Sequence, residues 1–163
     1  MQAGTTNKLV TKFFVAAVIF LGWGVIQGAL QAQKPIHDFL TQGPADIIIG
    51  AHAHINLLGW VSLSLAGVIY YLIPILTNKS IAAPRLINWI FWVWTISLAL
   101  MGILMIDAGI DGGKTFAAGT TGAALDSVLA PYMIAISILS ILMGITVLTF
   151  VIQILATIRR KTN

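Results

Sequence analysis

A chain of 163 residues that is 58% hydrophobic and only 9% charged is a membrane protein, since a soluble domain of this length carries roughly 25% charged residues. The lack of cysteine excludes disulfides, thiolate metal sites, cysteine-ligated iron–sulfur clusters and c-type haem attachment. The net charge of +4 is explained better by how the basic residues flank the apolar segments than by an anionic partner, and no nucleic acid is expected.

Crossing roughly 30 Å of hydrocarbon takes about 20 helical residues. Four segments qualify: 9–31, 45–76, 86–106 and 129–158. The first follows Lys8 and Lys12. Its apolar run from Phe13 to Leu30 is too long for a signal core, and no small-residue cleavage site follows it closely. Pro35 and Gly43-Pro44 separate it from the second span, which is long enough to tilt or to extend past the bilayer. Asn78 to Pro84 separates the second span from the third. The Gly-rich stretch from Asp107 to Thr121 reads as a breaker before the fourth, within an outer loop reaching Val128 that caps the surface or holds a short helix. The expected fold class is all-α: one four-transmembrane-helix bundle over residues 1–163.

Seven of the nine basic residues (Lys8, Lys12, Lys79, Arg85, Arg159, Arg160, Lys161) fall on one side of this arrangement. All five acids, Asp38, Asp46, Asp107, Asp111 and Asp126, fall on the other. The positive-inside rule then places both termini in the cytoplasm of a bacterial inner membrane, with the two outer loops and all three histidines on the far side.

The chemistry concentrates in the second span, in Gly50-Ala-His52-Ala-His54-Ile-Asn56-Leu-Leu-Gly59-Trp60. An ionisable side chain inside a span is costly, and so marks a functional site by default. His54 lies ten residues after Pro44, roughly 15 Å along a helix, in the outer part of the membrane. His52 and His54 are two apart, about 200° around the axis, so they cannot share one metal ion or ligate both faces of one haem. With His52 go Asn56, Gly59, Ala66 and Tyr70, a small and polar face suited to close helix contact. With His54 go Ile47, Gly50, Leu58, Val61, Leu65 and Leu72, an aliphatic wall with a glycine one turn before the histidine. One imidazole, one gap and one apolar wall suit a flat macrocycle. Trp60, Lys34 and Lys114 are available to haem propionates near the outer surface. Gln27, Gln31, Asn56, Ser62 and Ser64 can bond between helices or hold the second nitrogen of a ligating imidazole. His37, beside Asp38, is the third candidate metal ligand, although a solvated loop residue is the plainer reading. Asp107 and Asp111 read as solvated loop ends.

His54-Ile-Asn56-Leu-Leu, continuing to Tyr70-Tyr71-Leu-Ile-Pro74, resembles the second transmembrane helix of the haem-copper oxidase and nitric-oxide reductase catalytic subunit. The wider string from His52 to Trp60 is also similar to small stand-alone proteins related to that subunit. The resemblance implies that His54 is the axial ligand of a low-spin haem b near the outer side of the membrane. It covers 25 to 30 residues, under a fifth of the chain. The family subunit has about twelve spans, and its later helices carry the second haem ligand and the histidines of the binuclear centre. No histidine follows His54 here, so this chain alone is not expected to reduce oxygen or nitric oxide.

A sixth iron ligand then has three sources. The first is His52 or His37 of a second copy in a homodimer, brought close by Gly24 and Gly28. The second is a methionine, from Met101, Met105 or Met133. In the third the iron stays open to a small gas. The expected function is a membrane haem b protein that transfers electrons, between a quinol and a periplasmic carrier, or binds a gas. The alternative is a non-enzymatic accessory or metal-handling module in which His52 and His54 bind copper or zinc with ligands from other chains. Copper carriers usually supply methionine or cysteine at short spacing, which ranks it second.

Overall fold

The computed structural model describes the backbone of residues 3–160 and the side chains of residues 9–160. The expectations placed on Lys8 and Lys161 lie outside the described side chains. Helix α1 spans Ala3–Gln31 and a short helix α2 spans Lys34–Leu40. The second span runs from Gly43 to Thr77 in four pieces. These are a tight 3₁₀ turn (Gly43–Asp46), α3 (Ile47–His54), a wide π-helical segment (Ile55–Val61) and α4 (Ser62–Thr77). Helix α5 spans Arg85–Ala117 and α6 spans Ala123–Arg159. Among the described residues, four helical segments are long and apolar enough to cross a membrane.

The first two spans lie where the hydropathy placed them, and the last two are longer. The stretch from Asp107 to Thr121 is not a loop. α5 continues through it to Ala117, and only residues 118–122 turn the chain, with Gly119 and Gly122 at positive φ. The other glycines there serve packing. A Cβ on Gly112 would lie 2.9 Å from Cγ of Pro44, and one on Gly113 would lie 2.6 Å from the Phe39 ring and 2.8 Å from Cβ of Ala45. A mid-helix glycine costs about 1 kcal/mol relative to alanine. Here each lets the start of the second span and α2 settle directly on α5.

α1 packs on the second span, the second span on α5, and α5 on α6. The interior holds Phe13, Phe20, Leu63, Ile90, Trp94, Leu98 and Met101, all nearly or fully buried. In α6 only 11% of the most apolar window is buried, against 44% in α5, so α6 is the peripheral helix. Met101 belongs to the core at 1% exposure, with its sulfur 3.3 Å from the Ser140 hydroxyl, which donates to the Ile136 carbonyl at 2.8 Å. It is not available as an iron ligand.

The two ends of the bundle differ in charge. Lys12 on α1 bonds Asn88 on α5, and Lys79 bonds the Ile158 carbonyl near the end of α6. Arg85, Arg159 and Arg160 belong to the same end. At the opposite end Gly43 lies against the Phe116 ring, Asp111 accepts the Tyr132 hydroxyl, and Lys34 pairs with Asp38 at 2.7 Å. The basic end is pinned by a buried network. Tyr70 donates to Gln153 Oε1 at 2.7 Å, Gln153 Nε2 donates to the carbonyls of Ala82 (2.8 Å) and Ala83 (3.0 Å), and the Ala82 amide donates to Thr157 Oγ1 at 2.9 Å.

Candidate functional site

α3 carries both histidines on its last turn, immediately before the wide segment. They point to different surroundings, as their spacing requires. His52 is half-buried against α1, where Gly28 makes room for it: a Cβ there would lie 2.9 Å from His52 Cε1. Asn56 occupies the matching notch at Gly24, 2.4 Å from where a Cβ would be. Its Nδ2 donates to the His52 carbonyl at 2.9 Å and lies 3.3 and 3.4 Å from the two ring nitrogens. The Gly24–Gly28 pair is therefore filled from within the chain. It does not offer the free surface for a second copy that its spacing suggested.

Around this seam α1 supplies two glutamines. Gln27 and Gln31 both donate to the Ile48 carbonyl, at 3.1 and 3.2 Å. Gln27 is 7% exposed and its Oε1 has no partner among the described residues, leaving an unused buried acceptor beside this seam.

His54 faces outward and is exposed. Its Nδ1 lies 2.8 Å from the Gly50 carbonyl oxygen one turn earlier. A carbonyl can only accept, so in the neutral ring Nδ1 bears the proton and donates it. Nε2, across the ring, then carries the free lone pair. A ligating imidazole takes this state, with one nitrogen tied to a carbonyl and the other open. Gly50 itself turns towards α5, where a Cβ would lie 2.9 Å from Met105 Cε.

The other candidates divide between the two faces. Gly59 is buried against Phe20, on the inner side with His52. Trp60 is 41% exposed on the outer side with His54. Of the residues grouped with His54, Val61, Leu65 and Leu72 are exposed, and so is Leu57, whereas Leu58 is not. Leu58 packs on the core, and its carbonyl accepts Trp94 Nε1 at 3.2 Å. His37 is exposed on α2. Among the described residues no three histidine or carboxylate side chains converge to hold a metal ion. The copper or zinc alternative, which takes its remaining ligands from other chains, is not tested by this.

The arrangement can offer one imidazole, with its tautomer fixed, to a group lying along the outer apolar surface. Comparison with known proteins places the whole chain rather than this site. Residues 2–142 match the family described as cytochrome c and quinol oxidase polypeptide I. The chain is 33% identical over 123 residues to a cytochrome c oxidase subunit 1 homolog of Azorhizobium caulinodans, covering 72% of this chain and 22% of that protein. It is 30% identical over 116 residues to cytochrome c oxidase subunit 1 of Rhodobacter capsulatus, covering 68% of this chain and 21% of that one. A chain from the cryo-EM structure of a heme-copper terminal oxidase dimer superposes with a TM-score of 0.76 at 15% identity, over 96% of this chain and 28% of that chain. The chain thus spans about a fifth of the length of these two relatives. With most of its residues matched, the chain belongs to the cytochrome c and quinol oxidase polypeptide I family.

Proposed function

We propose that this chain is a membrane haem b module in which His54 is an axial iron ligand, with both termini on the cytoplasmic side of a bacterial inner membrane. The observation that carries the reading is the 2.8 Å bond from His54 Nδ1 to the Gly50 carbonyl, which leaves Nε2 free on an exposed apolar face. A haem bound there would supply one-electron redox chemistry, or a site for a small gas. The protein's part is to orient the imidazole through Gly50 and to keep water off the macrocycle with Leu57, Val61 and Leu65. Trp60 stands on the same side to meet a propionate.

Unless the iron stays open to a gas, the sixth ligand is Met133 or comes from outside this group of helices. His52 is turned to α1, Met101 is spent in the core, and Met105 lies against Gly50 on α5. A second copy of this chain, in a homodimer, is the simplest supplier. A quinol and a periplasmic electron carrier are the proposed donor and acceptor.

One observation favours a second ligand assignment inside the same haem reading. The His52 ring sits in a built notch with Asn56 beside it and the unused Gln27 acceptor on the neighbouring helix. Visible spectra of the detergent-purified protein, oxidised and dithionite-reduced, decide the matter. The expected result is a Soret band and a sharp reduced α band, lost in His54→Ala and kept in His52→Ala. Loss in His52→Ala alone would transfer the ligand to His52 and leave the haem reading standing. A colourless protein from haem-replete cells would overturn the haem reading itself.

A further inference from the structure

A groove of about 550 Å³ runs between α1 and α5, within the size range of small-molecule sites. It is lined by Val15, Ile19, Phe20 and Trp23 from α1 and by Phe91 and Trp92 from α5. Val15, Ile19 and Trp92 are 54%, 64% and 48% exposed, so the groove is open to the hydrocarbon. Lys12 stands at its mouth, at the basic end of the bundle. From Lys12 to Trp23 is eleven residues, roughly 16 Å of helix. Half of a hydrocarbon core of about 30 Å is nearly the same length. The groove is therefore as deep as one leaflet.

Lys12 has only neutral partners. Its Nζ donates to Asn88 Oδ1 at 2.9 Å and lies 5.9 Å from the ring centroids of both Phe91 and Trp92. The one ion pair among the described residues, Lys34–Asp38, is at the opposite end, and the chain places no acid on the basic side. A snorkelling lysine accounts for an ammonium at this level. It does not account for an aromatic-floored groove of leaflet depth beneath it. A neutral quinone ring would use the groove but not the charge.

We propose that the groove binds an anionic phospholipid, with the phosphate on Lys12 and one acyl chain lying along the groove to Trp23. The site is independent of the histidine segment and does not rest on the haem reading.

Native mass spectrometry of the full chain in micelles with equimolar dioleoyl phosphatidylglycerol and dioleoyl phosphatidylcholine tests it. Phosphatidylglycerol adducts should exceed phosphatidylcholine adducts by about fivefold, the factor expected of one lysine at an anionic surface. Lys12→Gln should abolish the preference and Lys12→Arg should keep it. Ile19→Trp, which narrows the groove below an intact Lys12, should lower the phosphatidylglycerol adduct. Circular dichroism melting checks that each variant is folded. Equal adducts in the unmodified chain would overturn the proposal. So would a preference that survives Lys12→Gln, which would put the lipid on Arg85, Arg159 and Arg160 instead. Co-purification of a quinone that Ile19→Trp expels, with the phosphatidylglycerol adduct unchanged, would also overturn it.

Discussion

His52 and His54 are separated by a single alanine, yet one is packed by the protein and the other is left open. The difference lies in what each ring meets. His54 bonds the carbonyl of its own preceding turn and keeps one nitrogen for an outside group. His52 is wedged against a glycine of another helix, and its surroundings depend on that glycine having no side chain. Gly28→Ala would place a Cβ 2.9 Å from His52 Cε1, closer than real contacts allow. Overpacking of this kind typically costs about 1–3 kcal/mol. The expected outcome is a loss of that order in detergent unfolding, largely restored when His52→Ala is added. If the two changes were simply additive, the ring would not be what fills the notch. A haem on His54 would keep its spectrum in Gly28→Ala, since the outer face is untouched.

Between α3 and α4 the helix widens, and side chains hold the wide segment. Asn56 Nδ2 donates to the His52 carbonyl at 2.9 Å, Ser62 Oγ to the Leu57 carbonyl at 2.7 Å, and Trp94 Nε1 to the Leu58 carbonyl at 3.2 Å. Such segments are rare and cluster at functional sites. This one follows directly on His54. Trp94 is 3% exposed, so Trp94→Phe leaves the Leu58 carbonyl without its cross-helix donor. A cost of about 1–3 kcal/mol is expected, together with faster amide hydrogen exchange across residues 55–61. Unchanged exchange there would show that the segment stands without α5. Little of this was legible in the sequence. The four spans were, because apolar length alone separates them from Asn78–Pro84 and from the ends. The division of His52 from His54 was also legible, because a two-residue step turns a helix by more than half a circle. The widening was not, because nothing in Ile55–Val61 marks it before the neighbouring helices are in place. Leu58 was assigned to the outer wall and Leu57 was not, because only the packing of the neighbouring helices shows which of the two is covered. Gly112 and Gly113 misled in the opposite direction. Glycine ends helices in the absence of neighbours, and only the packing of Pro44, Phe39 and Ala45 shows why these two lie inside one. The pair Gly24 and Gly28 was read correctly as a close contact, but with the wrong partner.

At the scale of the whole molecule, the segregation of charge is joined to a difference in how the two ends are held. The basic end is locked by Tyr70, Gln153 and Thr157 around the 78–84 turn. Tyr70 is fully buried, so Tyr70→Phe leaves Gln153 Oε1 unbonded and should cost about 1–3 kcal/mol without moving any haem spectrum. The turn at residues 118–122 at the other end is exposed and has no comparable lock. If the positive-inside rule governs the chain, the locked turn lies in the cytoplasm and the open one in the periplasm. The absence of cysteine makes this directly measurable, since any introduced thiol is the only one present. Ser80 and Ala118 are exposed turn residues at opposite ends of the bundle. A membrane-impermeant maleimide added to intact spheroplasts should label Ala118→Cys and not Ser80→Cys, and lysis should expose Ser80→Cys. The reverse pattern would put the basic end outside. It would also move His54 to the cytoplasmic half, where a periplasmic electron partner could not reach a haem on it, and that half of the functional reading would fall with the topology.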